Sequence, residues 1–251
     1  ARLNEGAAPA LADLVAALDD KRPEVRLAAV KALGNLRNKG HTAVDPLMRK
    51  LDDADPQMRT EAARALTYIG PGPRDNPGHG DVVPKLVAAL GDSDPHVRSC
   101  AARALMNDWQ GIDRALPALV PALDDFVPQN GNGACINAGY AIKEMAKRGH
   151  FQLVVTTALE ALQKSPDNAR LIDVLGAIGP DARQAILSLR TIAAGHGDAA
   201  RAAALALTRI EPAAKPDLTS VLDRVYDDGW GERESGLRAL GDAGEQGASA
   251  V

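Results

Sequence analysis

Apolar residues recur at helical spacing along most of the chain. Leu11, Leu14, Val15 and Leu18 fall on one face of a predicted helix, and Val25, Ala29, Leu33 and Leu36 on one face of the next, because residues three and four apart are neighbours on a helix surface. Asp19-Asp20 marks a tight turn between them, and Pro23 sits where the first turn of a helix tolerates a missing N–H. The pattern then returns. Leu51-Asp52-Asp53 leads into Pro56, Arg59, Ala62, Ala65 and Leu66; Leu90-Gly91-Asp92 leads into Pro95, Arg98, Ala101, Ala104 and Leu105. Arg26, Arg59 and Arg98 are 33 and 39 residues apart, the longer interval holding a Gly- and Pro-rich insert at 71–80. Asp residues just before the prolines are expected to cap the second helix of each unit. Small residues such as Ala28, Ala29 and Ala32 let neighbouring helices approach closely.

Later units are more diverged. A fourth turns at Leu123-Asp124-Asp125 and continues in a helix from Ala134 to Met145. A fifth turns at Ser165-Pro166-Asp167, a sixth at Gly195-His196-Gly197-Asp198, and a seventh at Asp227-Asp228. A fixed period of about 36 residues is the mark of a stacked repeat architecture. The predicted fold is all-α, a right-handed α-solenoid of about seven helix pairs, forming a single domain over residues 1–251. The repeat frame begins and stops part-way through a unit, and neither end carries the polar cap that terminal repeats carry. This predicts a segment of a longer protein.

The turn Asp-x-x-Pro-x-Val-Arg followed by Ala-x-x-Ala-Leu, clear at Asp20–Leu33 and Asp92–Leu105 and with Met58 for Val at Asp53–Leu66, resembles the HEAT repeat. The resemblance is to the short bacterial type also found in phycobilisome-lyase-like proteins. It implies an armadillo-like helical stack, and such stacks host many roles.

Composition agrees with thin, closely packed helices. The chain has 47 Ala and 29 Leu among 251 residues, but only 3% aromatic residues, which excludes an all-β fold. The net charge is −4, which argues against nucleic acid and against the strongly basic groove of HEAT-like DNA glycosylases. No run approaches the ~18 apolar residues of a membrane-spanning helix.

Motifs for chemistry are scarce. Neither a nucleophile elbow, a phosphate-binding loop nor a dinucleotide fingerprint occurs. The histidines are His41, His79, His96, His150 and His196; none pairs with a ligand at metal spacing, and the His-Glu pairs of HEAT-type hydroxylases are missing. Four of them lie near Gly and read as solvated loop residues. Cys100 and Cys135 read as small core residues on adjacent second helices. Asn130-Gly131-Asn132-Gly133 reads as a plain loop, with an anion site at the next helix as the sharper alternative. No catalytic residue, metal or cofactor is expected.

The arginine series recurs with acidic residues. Asp20, Arg26, Asp53, Arg59, Asp92, Asp94 and Arg98 are expected to form a structural ladder along the turns. Taking the first unit as ruler, positions 25, 28, 29, 32, 33 and 36 face the core, leaving 27, 31 and 35 outward on the surface that second helices line. Carried along the repeats, position 31 becomes Arg64, Arg103, Tyr140, Asp173 and Arg238; position 35 becomes Tyr68, Asn107, Glu144, Ala177, Arg209 and Asp242. Two of three tyrosines fall on these rows, with Trp109 nearby. Tyr, Trp and Arg are enriched where binding energy concentrates. The expected role is a non-enzymatic interaction or scaffold module that binds a protein or peptide through Lys31, Arg64, Tyr68, Arg103, Asn107, Tyr140 and Glu144. The alternative is an accessory subunit or regulatory segment of an enzyme, as in bilin lyases. Trp230 stands where other units have Pro and is expected to pack a turn.

Overall fold

The computed structural model describes residues 7–70, 82–107, 111–125 and 133–211, with side chains from Ala10 onward. Six helix pairs follow one another there. They are α1 (Ala7–Ala17) with α2 (Pro23–Asn35), α3 (Val44–Lys50) with α4 (Pro56–Ile69), and α5 (Val82–Ala89) with α6 (Pro95–Ala104). Then come α7 (Leu116–Ala122) with α8 (Ala134–Met145), α9 (Phe151–Lys164) with α10 (Ala169–Ile178), and α11 (Ile186–Ala193) with α12 (Asp198–Ile210). No strand occurs among the described residues, and the chain is an all-helical solenoid. The seventh unit, the 71–80 insert, residues 130–132 and both tryptophans lie outside the described residues.

The even-numbered helices form one layer in which each packs along the next, whereas successive first helices touch only lightly. A two-layer stack packed more closely on one side curves toward that side. The second helices therefore line the inner face. Between units four and five the spacing loosens, where a π-helical turn, Ala146–His150, and Gly149 at φ 101° redirect the chain.

The turns explain why Asp, Pro and Arg recur. Pro23, Pro56 and Pro95 each open a second helix. Asp20, Asp53 and Asp92 accept the N–H two residues on, at 2.9, 3.0 and 2.8 Å. Asp55 and Asp94 then cap α4 and α6 through the Gln57 and His96 N–H groups, at 2.9 and 2.7 Å. The first unit departs from the expected capping: Arg22 precedes Pro23, and α2 has no side-chain cap.

Each arginine of the series closes its own turn. Nη1 of Arg26, Arg59 and Arg98 donates to the carbonyls of Asp20, Asp53 and Asp92 at 3.0, 2.9 and 2.9 Å. A second carbonyl, of Lys21, Ala54 or Ser93, accepts from the same atom. Two of the guanidinium groups also reach the next unit with paired bonds. Arg59 grips Asp92 at 2.7 and 2.8 Å, and Arg98 grips Asp125 at 2.5 and 3.0 Å. Such planar two-bond pairs are the strong kind of charged hydrogen bond. Arg59 holds the Asp92 carboxyl below its ordinary value, and Arg22 lowers Asp20 to about 2.

The core corrects the first-unit ruler. In α2 the buried residues are Ala29, Val30, Leu33 and Gly34, while Ala28 is exposed and Val25, Ala32 and Leu36 are half-buried. In α4, Met58, Thr60, Glu61, Ala62, Ala63, Ala65, Leu66 and Ile69 are all buried. Position 27 thus turns inward at Thr60, and position 30 is core in both units. The reason is stacking: α4 has a second helix on each side, whereas α2 is flanked on one side by α4 alone.

Close approach sets which residues fit between second helices. A Cβ added to Gly34 would stand 3.1 Å from the Ala65 backbone, and one added to Gly176 would stand 2.9 Å from that of Ala206. Gly139, also inside a helix, would meet only a Leu123 methyl at 3.6 Å. Replacing a mid-helix Gly by Ala normally stabilises by about 1 kcal/mol. Gly139→Ala is expected to follow that rule in chemical denaturation. Gly176→Ala is expected to lose about 1–3 kcal/mol, because overpacking against backbone outweighs helix propensity.

Arg59→Ala is expected to cost about 2 kcal/mol through the lost charged bonds. A carboxylate lowered by folding stabilises above its unfolded value and loses that contribution as pH falls through the folded one. Thermal melts of the parent should therefore fall off below the ordinary Asp value of 3.8. The Arg59→Ala variant should fall off less steeply over the same range.

Candidate functional site

Stacking of the second helices builds the inner face from two rows of side chains. Lys31, Arg64, Arg103 and Tyr140 are exposed along one row, on α2, α4, α6 and α8. Asn35 and Tyr68 are exposed along the other, followed by half-buried Asn107 and Glu144. Tyr140 is 55% exposed and Tyr68 40%, although buried apolar side chains are the rule in this molecule. Ile136, one helical turn before Tyr140, is exposed beside it.

A groove of about 310 Å³ lies between α2 and α4. Val30, Gly34 and Ala65 form its floor, and Lys31, Asn35, Arg64 and Tyr68 stand around it. The Gly34 approach to Ala65 keeps that floor shallow. Glu61 lies at the base, its carboxylate 3.1 Å from Arg64 Nη1 and 3.9 Å from Lys31 Nζ. The Glu61 side chain is 11% exposed, against 46% for Arg64 and 49% for Lys31. The groove therefore exposes the cations to solvent and not the carboxylate. Arg37 stacks over the Tyr68 ring, 5.9 Å from its centre, a cation–π arrangement that fixes the edge of the groove.

The other expected binding residues have internal partners. Asn107 donates its amide to the Thr67 carbonyl at 3.0 Å, tying α6 to α4. Asn137 does the same from α8 to the Ser99 carbonyl and hydroxyl, at 3.0 and 2.9 Å. Glu144 pairs with Lys147 at 2.6 Å and lies 3.9 Å from Arg148, and the Lys147 bond lowers its carboxyl. Asn107 and Asn137 thus tie neighbouring second helices together, whereas Glu144 pairs along its own stretch of helix. Of the expected binding residues, Lys31, Arg64, Tyr68, Arg103 and Tyr140 keep exposed side chains on the inner face of units one to four.

Beyond unit four the inner face changes character. Asp173 takes Lys143 from α8 at 2.6 Å and Arg209 from α12 at 3.3 Å. One carboxylate thus offsets cations from both sides. Arg238 and Asp242 of the same rows lie outside the described residues.

Cys100 and Cys135 are both free thiols, the second buried. Burial pushes the Cys100 thiol up, and nearby Arg64 pulls the other way. His150 is not a solvated loop residue: its Nδ1 lies 2.8 Å from Asp113 and it precedes α9. His41 is likewise half-buried within a 3-10 turn, Arg37–Ala43. Among the described residues, no three His, Cys, Asp or Glu converge to hold a metal. None of the described helices is long and apolar enough to cross a membrane.

Residues 11–77 and 44–130 match the pattern of HEAT repeats. No curated protein matches the chain. Among solved structures the fold is similar to an engineered protein with 21% identity and a TM-score of 0.53, covering 93% of this chain and 98% of that one. It is similar to computationally designed armadillo repeat proteins for modular peptide recognition, with 22% identity and a TM-score of 0.51, covering 79% and 99%. A designed armadillo repeat protein in complex with the peptide (KR)4 has 20% identity and a TM-score of 0.51, covering 80% and 99%. Residues 11–130, with their Pro-led turns and repeated arginine, thus match HEAT repeats, and the described residues fold as an armadillo-like helical solenoid.

Proposed function

We propose that the chain is a non-enzymatic interaction module that holds a protein or peptide partner on its inner face. One observation carries the reading. In a chain with 3% aromatic residues, Tyr68 and Tyr140 stand exposed on the inner helices. Exposed rings cost a stable stack solvent contact and contribute little to its packing, but they suit a binding surface. Lys31, Arg64 and Arg103 flank them, and the groove between α2 and α4 gives an extended chain a place to lie. Asn107 supports the surface from beneath through its bond to Thr67, and Glu144 lies at the far end of the row, paired with Lys147. The designed armadillo proteins, whose fold is similar, recognise peptides on a stack of this kind.

A random peptide library displayed on phage and selected on the chain tests the reading. Selected peptides are expected to bind Tyr68→Ala and Tyr140→Ala variants at least about tenfold more weakly, the size of a loss of 1.4 kcal/mol. Both side chains are exposed, so the variants should melt like the parent. Peptides that bind both variants undiminished would place the binding surface elsewhere.

A further inference from the structure

Charge is separated across this molecule although the whole is acidic. The turn edge gathers Asp19, Asp20, Asp52, Asp53, Asp92, Asp94, Asp124 and Asp125. The inner face of units one to three instead exposes Lys31, Arg37, Arg64 and Arg103, with Glu61 held beneath two of them. Among the described residues no carboxylate pairs with Arg103. Farther along, Asp173 offsets Lys143 and Arg209. The cationic stretch therefore covers α2, α4 and α6 and stops at the Tyr140 ring and the aliphatic side chain of Ile136.

We infer that the inner face of units one to three takes an extended acidic peptide, its carboxylates on Lys31, Arg64 and Arg103 and an apolar side chain at Tyr140 and Ile136; this rests on the inner-face reading of the binding surface. Three points support it. Arg64 bonds Glu61 through Nη1 and also reaches Cys100, yet its side chain is 46% exposed, so N–H groups of its five-donor fork remain to take a carboxylate. Packed helices lie 8–10 Å apart, which two to three residues of extended chain span at about 3.3 Å each. A peptide with acidic residues at that interval meets one cation per unit. The acidic turn edge lies on a different side from the groove, and at physiological salt charges farther than about 8 Å are largely screened. The local cations thus decide the sign that a peptide meets.

Fluorescence anisotropy of a labelled peptide of about ten residues, alternating Glu and Ala, tests this against its Lys–Ala counterpart. The intact chain is expected to bind the acidic probe at least about tenfold tighter than the basic one, and more weakly as salt rises. Arg103→Ala should weaken that binding about fivefold, Arg103→Lys should restore most of it, and Lys85→Ala on the first-helix side should leave it unchanged. Arg103 is exposed, so melting of its variants should match the parent. Equal or tighter binding of the basic probe, binding of neither probe, or indifference to Arg103→Ala would overturn the inference. Self-association of the chain that displaces the acidic probe would also overturn it, by giving the surface to a second copy. Selected library peptides that need Tyr68 and Tyr140 but lack acidic residues would overturn the charge assignment alone. Peptides indifferent to both tyrosines would overturn the inner-face reading as well.

Discussion

Close approach of the second helices is the constraint on which the molecule depends. Gly34 against Ala65 and Gly176 against Ala206 leave no space for one more carbon. The recurring alanines at 62, 63 and 65, and at 101, 102 and 104, are buried in the same layer. Nothing large fits there, which accounts for a chain of 47 alanines with few rings. The same closeness decides where a ring can go. Tyr68 and Tyr140 stand on the open side of the layer, and their exposure follows from the packing beneath them.

A layer this uniform needs something to fix its register, and the turns supply it. Each arginine first closes its own turn through two carbonyls. Arg59 and Arg98 then reach one unit ahead to Asp92 and Asp125. Folding of a stack is a sum of unit and neighbour terms, and these pairs are neighbour terms with a fixed direction. They also draw acidic residues to the turn edge. The inner face is left with cations, so one repeated turn motif shapes both the stack and the charge that a partner would meet.

Much of this was legible in the sequence. The period showed the helix pairs, the prolines showed where second helices begin, and Asp recurring with Arg suggested the ladder. The missing parts all depend on what stacks against what. Asp125 occupies the acidic position of the fourth turn, but its tie to Arg98 appears only when units are superposed. Val30 and Gly34 become core because α4 covers that flank, which the periodicity of α2 alone does not show. Asn107 has the composition of a contact residue, yet its amide is spent on Thr67. Glu61 lines up with an alanine of the first unit, so nothing in the repeat pattern marked it as the buried carboxylate under Lys31 and Arg64. Trp109 and Trp230 lie outside the described residues.

The central claim is that a tightly packed inner layer presents its rare rings to a partner. Fluorine NMR of the chain carrying fluorotyrosine tests it most directly, with Tyr→Phe variants assigning the three resonances. Titration with a selected peptide should move the signals of Tyr68 and Tyr140. A peptide that binds while both inner-face signals stay unmoved would contradict the account.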